Sequence, residues 1–215
     1  PRFYSEARRR IATSSKDRTA ALSRSAIRSV YWRLLLGCIS PTSVSSWTSQ
    51  VALARSRWRE ALRDAGGDKE LLRKGKAAEQ VRKDLNRLNS DSKFFADEAI
   101  KDQMLRILVV WDHLNPDPGY RQGMHELVAP LLYVISIDTN HSLADKPFPS
   151  PLAAPPPIPS NPALKGQGNP RTPLAAMGLA KCLLDAKETE ADTFCMFCKL
   201  MDVLKPLYSL MGGAR

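Results

Sequence analysis

The sequence predicts an all-α fold, and the spacing of its apolar residues is the main reason. Apolar residues recur three or four positions apart in successive segments, which is typical of amphipathic helices. No segment alternates apolar and polar residues in the way that a half-buried strand does. Of the 215 residues 43% are hydrophobic, so the chain is long and apolar enough to bury a core.

Two helices are predicted in the first third of the chain. The first spans 25–37, because Ser25 can cap its amino end and Gly37 lies where a carboxyl-terminal cap belongs. The second follows Pro41 and stops at the pair Gly66-Gly67. Their predicted apolar faces consist of Ile27, Val30, Tyr31, Leu34 and Leu35 in the first helix, and of Trp47, Val51, Ala54 and Trp58 in the second.

Three more helices are predicted in the middle of the chain. A basic helix covers 70–87, and a strongly periodic one covers 97–114 and ends where two prolines and a glycine follow. The residues between them, 88–96, show no helical period. The last of the three covers 122–137 and contains Pro130, which predicts a kink or a short irregularity.

The rest of the sequence divides into a proline-rich insert and two further helices. Ten prolines lie among the 27 residues from Pro147 to Pro173, and such a segment buries too little surface to offset the entropy lost on ordering it. We therefore predict a disordered loop at about 143–173, followed by helices at 174–187 and 192–210. The predicted organisation is a basic arm over 1–24 and one domain over 25–215 that this loop interrupts.

Charge is distributed unevenly along the chain. Residues 1–83 carry 19 lysines and arginines against 7 acidic residues, a net charge of +12, and the remaining 13 against 15 leave −2 in residues 84–215. A basic half favours nucleic acid, anionic lipid or an acidic protein surface, or is simply a solvated face. The sequence has no apolar run of membrane-spanning length and no secretory signal pattern, which predicts a cytoplasmic protein with reduced cysteines.

Three patterns bear on chemistry. Asp84 and Arg87 lie three residues apart on a predicted helix, where the carboxylate can orient the guanidinium. Gln122 stands where a Pro/Gly turn leads into a helix, a position that holds a side chain outward. Cys195 and Cys198 form a CxxC without a second ligand pair, and the three histidines have no metal-like spacing. We therefore predict no metal site, and cysteines that pack in the core as small hydrophobes.

Three motifs, in this order, resemble those of TBC-domain Rab GTPase-activating proteins. The matching positions are Arg28 and Trp32 for RxxxW, Val81, Asp84 and Arg87 for IxxDxxR, and Tyr120 and Gln122 for YxQ. The stretch YRQGMHELVAP is most similar to the subgroup of TBC domain family member five. The resemblance covers about 25–140 and 190–210 and implies a TBC-type helical domain. TBC domains continue with further helices beyond the point that corresponds to Arg215, so it implies the amino-terminal catalytic portion.

The resemblance also implies an activity. Arg87 would neutralise charge that develops on the transferred phosphoryl group of a bound Rab, and Gln122 would position the attacking water. Asp84 would hold Arg87, and Tyr120 would hold the loop around Gln122. The supporting residues that the motifs imply are Asp84, Tyr120, Arg28 and Trp32. The GTP and magnesium belong to the Rab, so no cofactor of this chain's own is implied.

Two other interpretations stay open on the sequence alone. A TBC-like module could bind a Rab or a trafficking-complex protein without accelerating hydrolysis. A basic helical nucleic-acid binder could use Trp32, Trp47 and Trp58 for stacking, but their helical spacing suits core packing better and we expect no nucleic-acid partner. A peripheral contact of the basic arm with anionic endomembranes is compatible with either Rab-binding interpretation.

Overall fold

The computed structural model describes residues 28–66, 75–88, 92–141 and 173–212, and every regular element in these ranges is helical. The α-helices are α1 (Arg28–Leu36), α2 (Trp47–Asp64), α3 (Lys76–Asn86), α4 (Lys93–Ala96), α5 (Glu98–Leu114), α6 (Met124–His141), α7 (Pro173–Leu183) and α8 (Thr189–Gly212). Short 3₁₀ turns at Val44–Ser46 and Ala186–Glu188 precede α2 and α8. The predicted all-α fold is confirmed. The predicted arm at 1–24, Ser25, and nearly all of the proline-rich loop lie outside the described residues.

Most helix ends fall within a few residues of the signals in the sequence. Gly37 follows α1 with a φ of 76°, a conformation that glycine adopts without steric cost. Asp97 caps α5, and its carboxylate accepts a hydrogen bond from the Ala99 N–H at 2.9 Å. α6 begins at Met124, two residues after the prediction, and runs past Ile137 to His141 with Pro130 inside it.

The main core surrounds α5, which buries seven side chains between Met104 and Trp111. α3 packs on α5, while α8 lies against α2, α5 and α6 and brings its phenylalanines into the core. Trp111 meets Phe197 at a ring-centroid distance of 5.8 Å, and Trp58 meets Phe194 at 4.7 Å. The tryptophans therefore serve the core: Trp58 is buried, and Trp32 and Trp47 are half-buried against apolar clusters. This burial removes the support for base stacking.

The prediction that residues 88–96 are not helical is wrong for residues 93–96. Residues 93–96 form the single turn α4, after Ser92 in extended conformation. Packing explains this turn: Phe94 meets Tyr133 of α6 edge to face at 5.1 Å and also packs against the main core. Contacts from distant parts of the chain thus stabilise a helix that the local apolar period does not show.

The predicted apolar face of α1 is also wrong in part. Ser29 and Arg33 are the buried residues of this helix, and Tyr31 is exposed. Their partners are acidic residues far along the chain: the Ser29 N–H donates to Asp138 of α6 at 2.6 Å, and Arg33 donates to Asp192 of α8 at 2.8 Å. Polar pairing, rather than an apolar stripe alone, orients α1 on α6 and α8.

Candidate functional site

Arg87 lies at the carboxyl end of α3, one residue beyond its last helical position. Its side chain is 61% exposed, whereas Asp84, one turn earlier, is fully buried. Nη2 of Arg87 contacts Oδ1 of Asp84. A buried carboxylate thus anchors one nitrogen of the guanidinium, which carries five N–H donors, so that most of them remain for a ligand.

Asp84 collects hydrogen bonds on both of its oxygens. The Tyr120 hydroxyl donates to Oδ2 at 2.8 Å, and Nε2 of Gln80 lies 3.3 and 3.4 Å from the two oxygens. Burial alone raises the pKa of this carboxyl, but the hydrogen bonds from Tyr120, Arg87 and Gln80 outweigh it and lower the pKa below its usual value. Asp84 is therefore a carboxylate at neutral pH, and it accepts from every one of these neighbours.

Hydrogen bonds from both backbone and side-chain atoms fix the segment between α5 and α6 against the helices. The Tyr120 N–H donates to Oδ1 of Asp112 at 2.5 Å, and Asn115 bridges the Trp111 carbonyl, at 2.9 Å, to Lys205 of α8, at 3.2 Å. Gly119 has a φ of 65°, a left-handed conformation. These contacts fix where the chain enters α6, and therefore where Gln122 stands.

Replacing Gly119 by alanine should destabilise the protein by about 1–3 kcal/mol, because the left-handed backbone strains a side chain. An added Cβ would also lie 3.0 Å from Oδ1 of Asp112 and 3.3 Å from the Pro116 carbonyl oxygen. Urea unfolding measures the change. Gly178→Ala is the control: this α7 position has open space, and alanine there should stabilise by up to about 1 kcal/mol. Equal changes in the free energy of unfolding for Gly119→Ala and Gly178→Ala would contradict backbone strain at Gly119.

Arg87 and Gln122 line one cleft. It encloses about 470 Å³. Its walls are formed by Arg87 and Leu88 at the end of α3, by Gln122 in the turn before α6, and by His125 and Glu126 in the first turn of α6. Both Arg87 and Gln122 are exposed, so both side chains are accessible to a partner. The structure thus brings the two predicted catalytic residues together, with Asp84 and Tyr120 directly behind Arg87.

The other two predicted site residues lie elsewhere. Arg28 forms an ion pair with Asp138 near the far end of α6, with Nε and Oδ1 3.7 Å apart. From Met124 to Asp138 that helix rises about 21 Å at roughly 1.5 Å per residue, so Arg28 is remote from Gln122. Trp32 is half-buried against the main core. The RxxxW residues therefore contribute to the fold of α1 and not to the cleft.

Sequence reasoning missed several residues of the site. Gln80 precedes Asp84 by one helical turn and Glu126 follows Gln122 by one, so helical spacing could have found both. Asp112 and His125 reach Tyr120 across the turn between α5 and α6, for which the sequence has no periodic signal. Burial lowers the pKa of His125 below its usual value, although Asp84 and Glu126 act in the opposite direction.

The CxxC cysteines are free thiols in a helix, and Cys198 packs against the main core as predicted. Cys195 instead lies beside Cys38, and a hydrogen bond between the two thiols lowers the pKa of Cys195. Cys38, which has no partner in the sequence pattern, thus has a spatial one. In the described part of the chain, no three His, Cys, Asp or Glu side chains are grouped so that they could hold a metal ion.

The fold and this cleft define a helical domain of a known family. The model of the Rab-GTPase-TBC domain matches residues 25–148, more than half of the sequence, and the chain belongs to this family. Among the described helices, none has both the length and the apolar character needed to cross a bilayer.

Two individual relatives carry the TBC1 family name, and a third is named as a GTPase-activating protein. TBC1 domain family member 5 homolog B of Dictyostelium discoideum is 27% identical over 135 residues, 54% of this chain and 13% of that protein. TBC1 domain family member 5 of Mus musculus is 22% identical over 213 residues, covering 87% and 23% of the two chains. GTPase-activating protein GYP1 of Saccharomyces cerevisiae is 27% identical over 103 residues, 48% of this chain. The chain spans 13% to 23% of the length of these relatives.

Proposed function

We propose that this chain is a GTPase-activating domain that accelerates GTP hydrolysis by a Rab-family small GTPase with an arginine finger, Arg87, and a glutamine finger, Gln122. One observation carries the proposal: the two side chains stand exposed in the same cleft, with Arg87 anchored on a buried carboxylate. Family membership and a relative named as a GTPase-activating protein support the same class of activity.

The chemistry follows from the charges and donors in the cleft. Arg87 supplies fixed N–H donors to the oxygens of the transferred phosphoryl group, where negative charge is spread in the transition state. Gln122 has an amide that both donates and accepts, which suits it to orient a water for in-line attack. The nucleotide and its magnesium come with the Rab, so in this proposal the chain needs no cofactor of its own.

The proposal also fixes where such a chain works. Rab proteins act in vesicle trafficking, so the domain would act in the cytoplasm and peripherally on endomembranes. The basic half of the sequence suits contact with an anionic leaflet, which attracts lysines and arginines near its surface. In this proposal, a protein of a trafficking complex is a second partner of the chain, besides the Rab.

A single-turnover GTP hydrolysis assay over a panel of purified Rabs tests the proposal. One or a few Rabs should be stimulated by the wild-type chain, and Gln122→Ala should lower the stimulated rate about a hundredfold or more, because a group that acts on the reacting atoms is lost. Asn140→Ala is the matched control: it truncates an exposed amide side chain at the other end of α6, far from the cleft, and should leave the rate unchanged.

The outcomes separate the interpretations. Stimulation that Gln122→Ala abolishes and Asn140→Ala preserves supports the two-finger enzyme and identifies its Rab. Binding of a Rab to the wild-type chain without any stimulation contradicts the proposal and leaves a non-catalytic TBC-like module.

A further inference from the structure

His125 connects the cleft to the buried carboxylate behind it. Its ring lines the cleft beside Gln122, yet the residue is only 6% exposed. Nδ1 of His125 lies 3.3 Å from the Tyr120 hydroxyl, which itself lies 2.8 Å from Oδ2 of Asp84. A chain of polar contacts therefore runs from His125 through Tyr120 to Asp84, and from there to Arg87.

The direction of each hydrogen bond in this chain follows from counting protons. Asp84 is ionised, so it has no proton to donate and must accept from Tyr120. The Tyr120 hydroxyl has a single proton, and the shorter, charge-assisted bond to Asp84 uses it. Toward His125 the hydroxyl oxygen can then only accept, so the proton between the two residues belongs to Nδ1.

This direction requires one tautomer of a neutral ring. Burial lowers the pKa of His125, and among its charged neighbours Asp84 and Glu126 raise it while Arg87 lowers it. At neutral pH the ring consequently carries one proton, which is either on Nδ1 or on Nε2. Only the Nδ1–H tautomer is compatible with the bond that Tyr120 gives to Asp84.

We propose that His125 is a positioning residue that, as the Nδ1–H tautomer, directs the Tyr120 proton onto Asp84 and so leaves Asp84 Oδ1 to hold Arg87 toward the cleft. In the opposite tautomer Nδ1 would compete for the Tyr120 proton, and the buried Asp84 would lose a donor. Asp84 would then accept additional hydrogen bonds from the Arg87 guanidinium, and these bonds would hold the guanidinium away from a ligand in the cleft. The catalytic consequence rests on the proposed function, whereas the tautomer does not.

The tautomer is tested on the wild-type chain by ¹⁵N NMR after labelling histidine. The sequence has three histidines, and the signals that vanish in His125→Asn identify this one. The expected result at neutral pH is a protonated Nδ1 and an unprotonated Nε2. A protonated Nε2 overturns the inference, whatever activity the chain has.

The positioning role is tested by two substitutions with the Rab that responds most strongly. His125→Asn keeps an N–H donor near the position of Nδ1, and His125→Leu fills the space without a donor. His125→Leu should lower kcat about 3- to 10-fold, the effect of one lost hydrogen bond, with KM little changed, while His125→Asn stays within about 3-fold of the wild type.

Equal losses in the two variants indicate that the ring only fills space, and they contradict the inference. A wild-type chain that stimulates no Rab contradicts the proposed function, but the NMR result still decides the tautomer. If His125→Leu does not fold, the tautomer and the His125→Asn rate remain decisive. A protonated Nε2, or an Asn variant slowed more than about 3-fold, contradicts the positioning role.

Discussion

Arg87→Ala is expected to abolish stimulation of the responsive Rab, lowering the single-turnover rate by about 10³–10⁵-fold toward that of the Rab alone. The physical reason is that the guanidinium delivers fixed positive charge and N–H donors to a site from which a bound partner excludes water, where such interactions are strongest. The measurement is the rate of GTP hydrolysis at saturating concentrations of the chain, which reports the chemical step and not the affinity.

This loss should occur without a loss of folding. The Arg87 side chain is 61% exposed, and the buried Asp84 keeps its hydrogen bonds from Tyr120 and Gln80. Loss of this one partner should therefore cost about 1–3 kcal/mol, which leaves the domain folded. Lys83→Ala is the matched control, because it removes the same charge from the same helix at an exposed position that does not line the cleft. Stimulation should survive in Lys83→Ala and vanish in Arg87→Ala, although both variants remain folded at the assay temperature.

Arg87→Lys separates charge from geometry. Lysine retains the positive charge but presents a compact ammonium in place of the planar fork, so it can neither lie on Asp84 in the same way nor donate in parallel to a phosphoryl group. We therefore expect Arg87→Lys to lose most of the stimulated rate that Arg87→Ala loses. An Arg87→Ala variant that keeps more than a tenth of the wild-type stimulation would exclude Arg87 as the finger.

The helices and the pair of candidate fingers were accessible from the sequence because their signals are local. The apolar period placed α2, α5 and α6, a glycine marked the end of α1, and two prolines and a glycine marked the end of α5. Asp84 and Arg87 are one helical turn apart, so their contact followed from spacing alone. The resemblance added Tyr120 and Gln122, and the structure places the first on Asp84 and the second in the same cleft as Arg87.

The parts that could not be predicted depend on partners far apart in sequence. Ser29 and Asp138 are 109 positions apart, and Arg33 and Asp192 are 159 apart. No periodicity shows such a pair, and a buried arginine on an otherwise apolar helix is read from the sequence as a solvated one. The role of His125 is hidden for a related reason: Tyr120 precedes α6 and meets His125 through the turn at Gly123, for which the sequence has no periodic signal.

Asp192 joins α1, α2 and α8 in a buried ionic cluster. It accepts from Nη2 of Arg33 at 2.8 Å and from Nε and Nη2 of Arg55 at 2.9 and 2.8 Å, and its side chain is 4% exposed. The two arginines also donate to the Leu183 and Cys182 carbonyls, at 2.7 and 2.9 Å, which ties in the end of α7. One carboxylate therefore compensates two guanidinium groups that are withdrawn from water.

Asp192→Asn should destabilise the protein by about 3–5 kcal/mol, because it removes the one carboxylate that both buried guanidinium groups contact. That is a large part of the roughly 5–15 kcal/mol by which a domain of this kind is stable. Urea unfolding measures the change. The control is Glu188→Gln, which removes the carboxylate from the more exposed pair with Arg59 and should cost about 1 kcal/mol or less.

The origin of this loss is tested by removing the cluster as a whole. If the cost is that of uncompensated charge, then Arg33→Met, Arg55→Met and Asp192→Leu together should be far more stable than Asp192→Asn alone, since replacing a whole buried ion cluster by apolar groups of similar volume is often neutral. A triple variant as unstable as Asp192→Asn would show that the hydrogen-bond geometry of the cluster, and not charge compensation, holds α1 and α2 on α8.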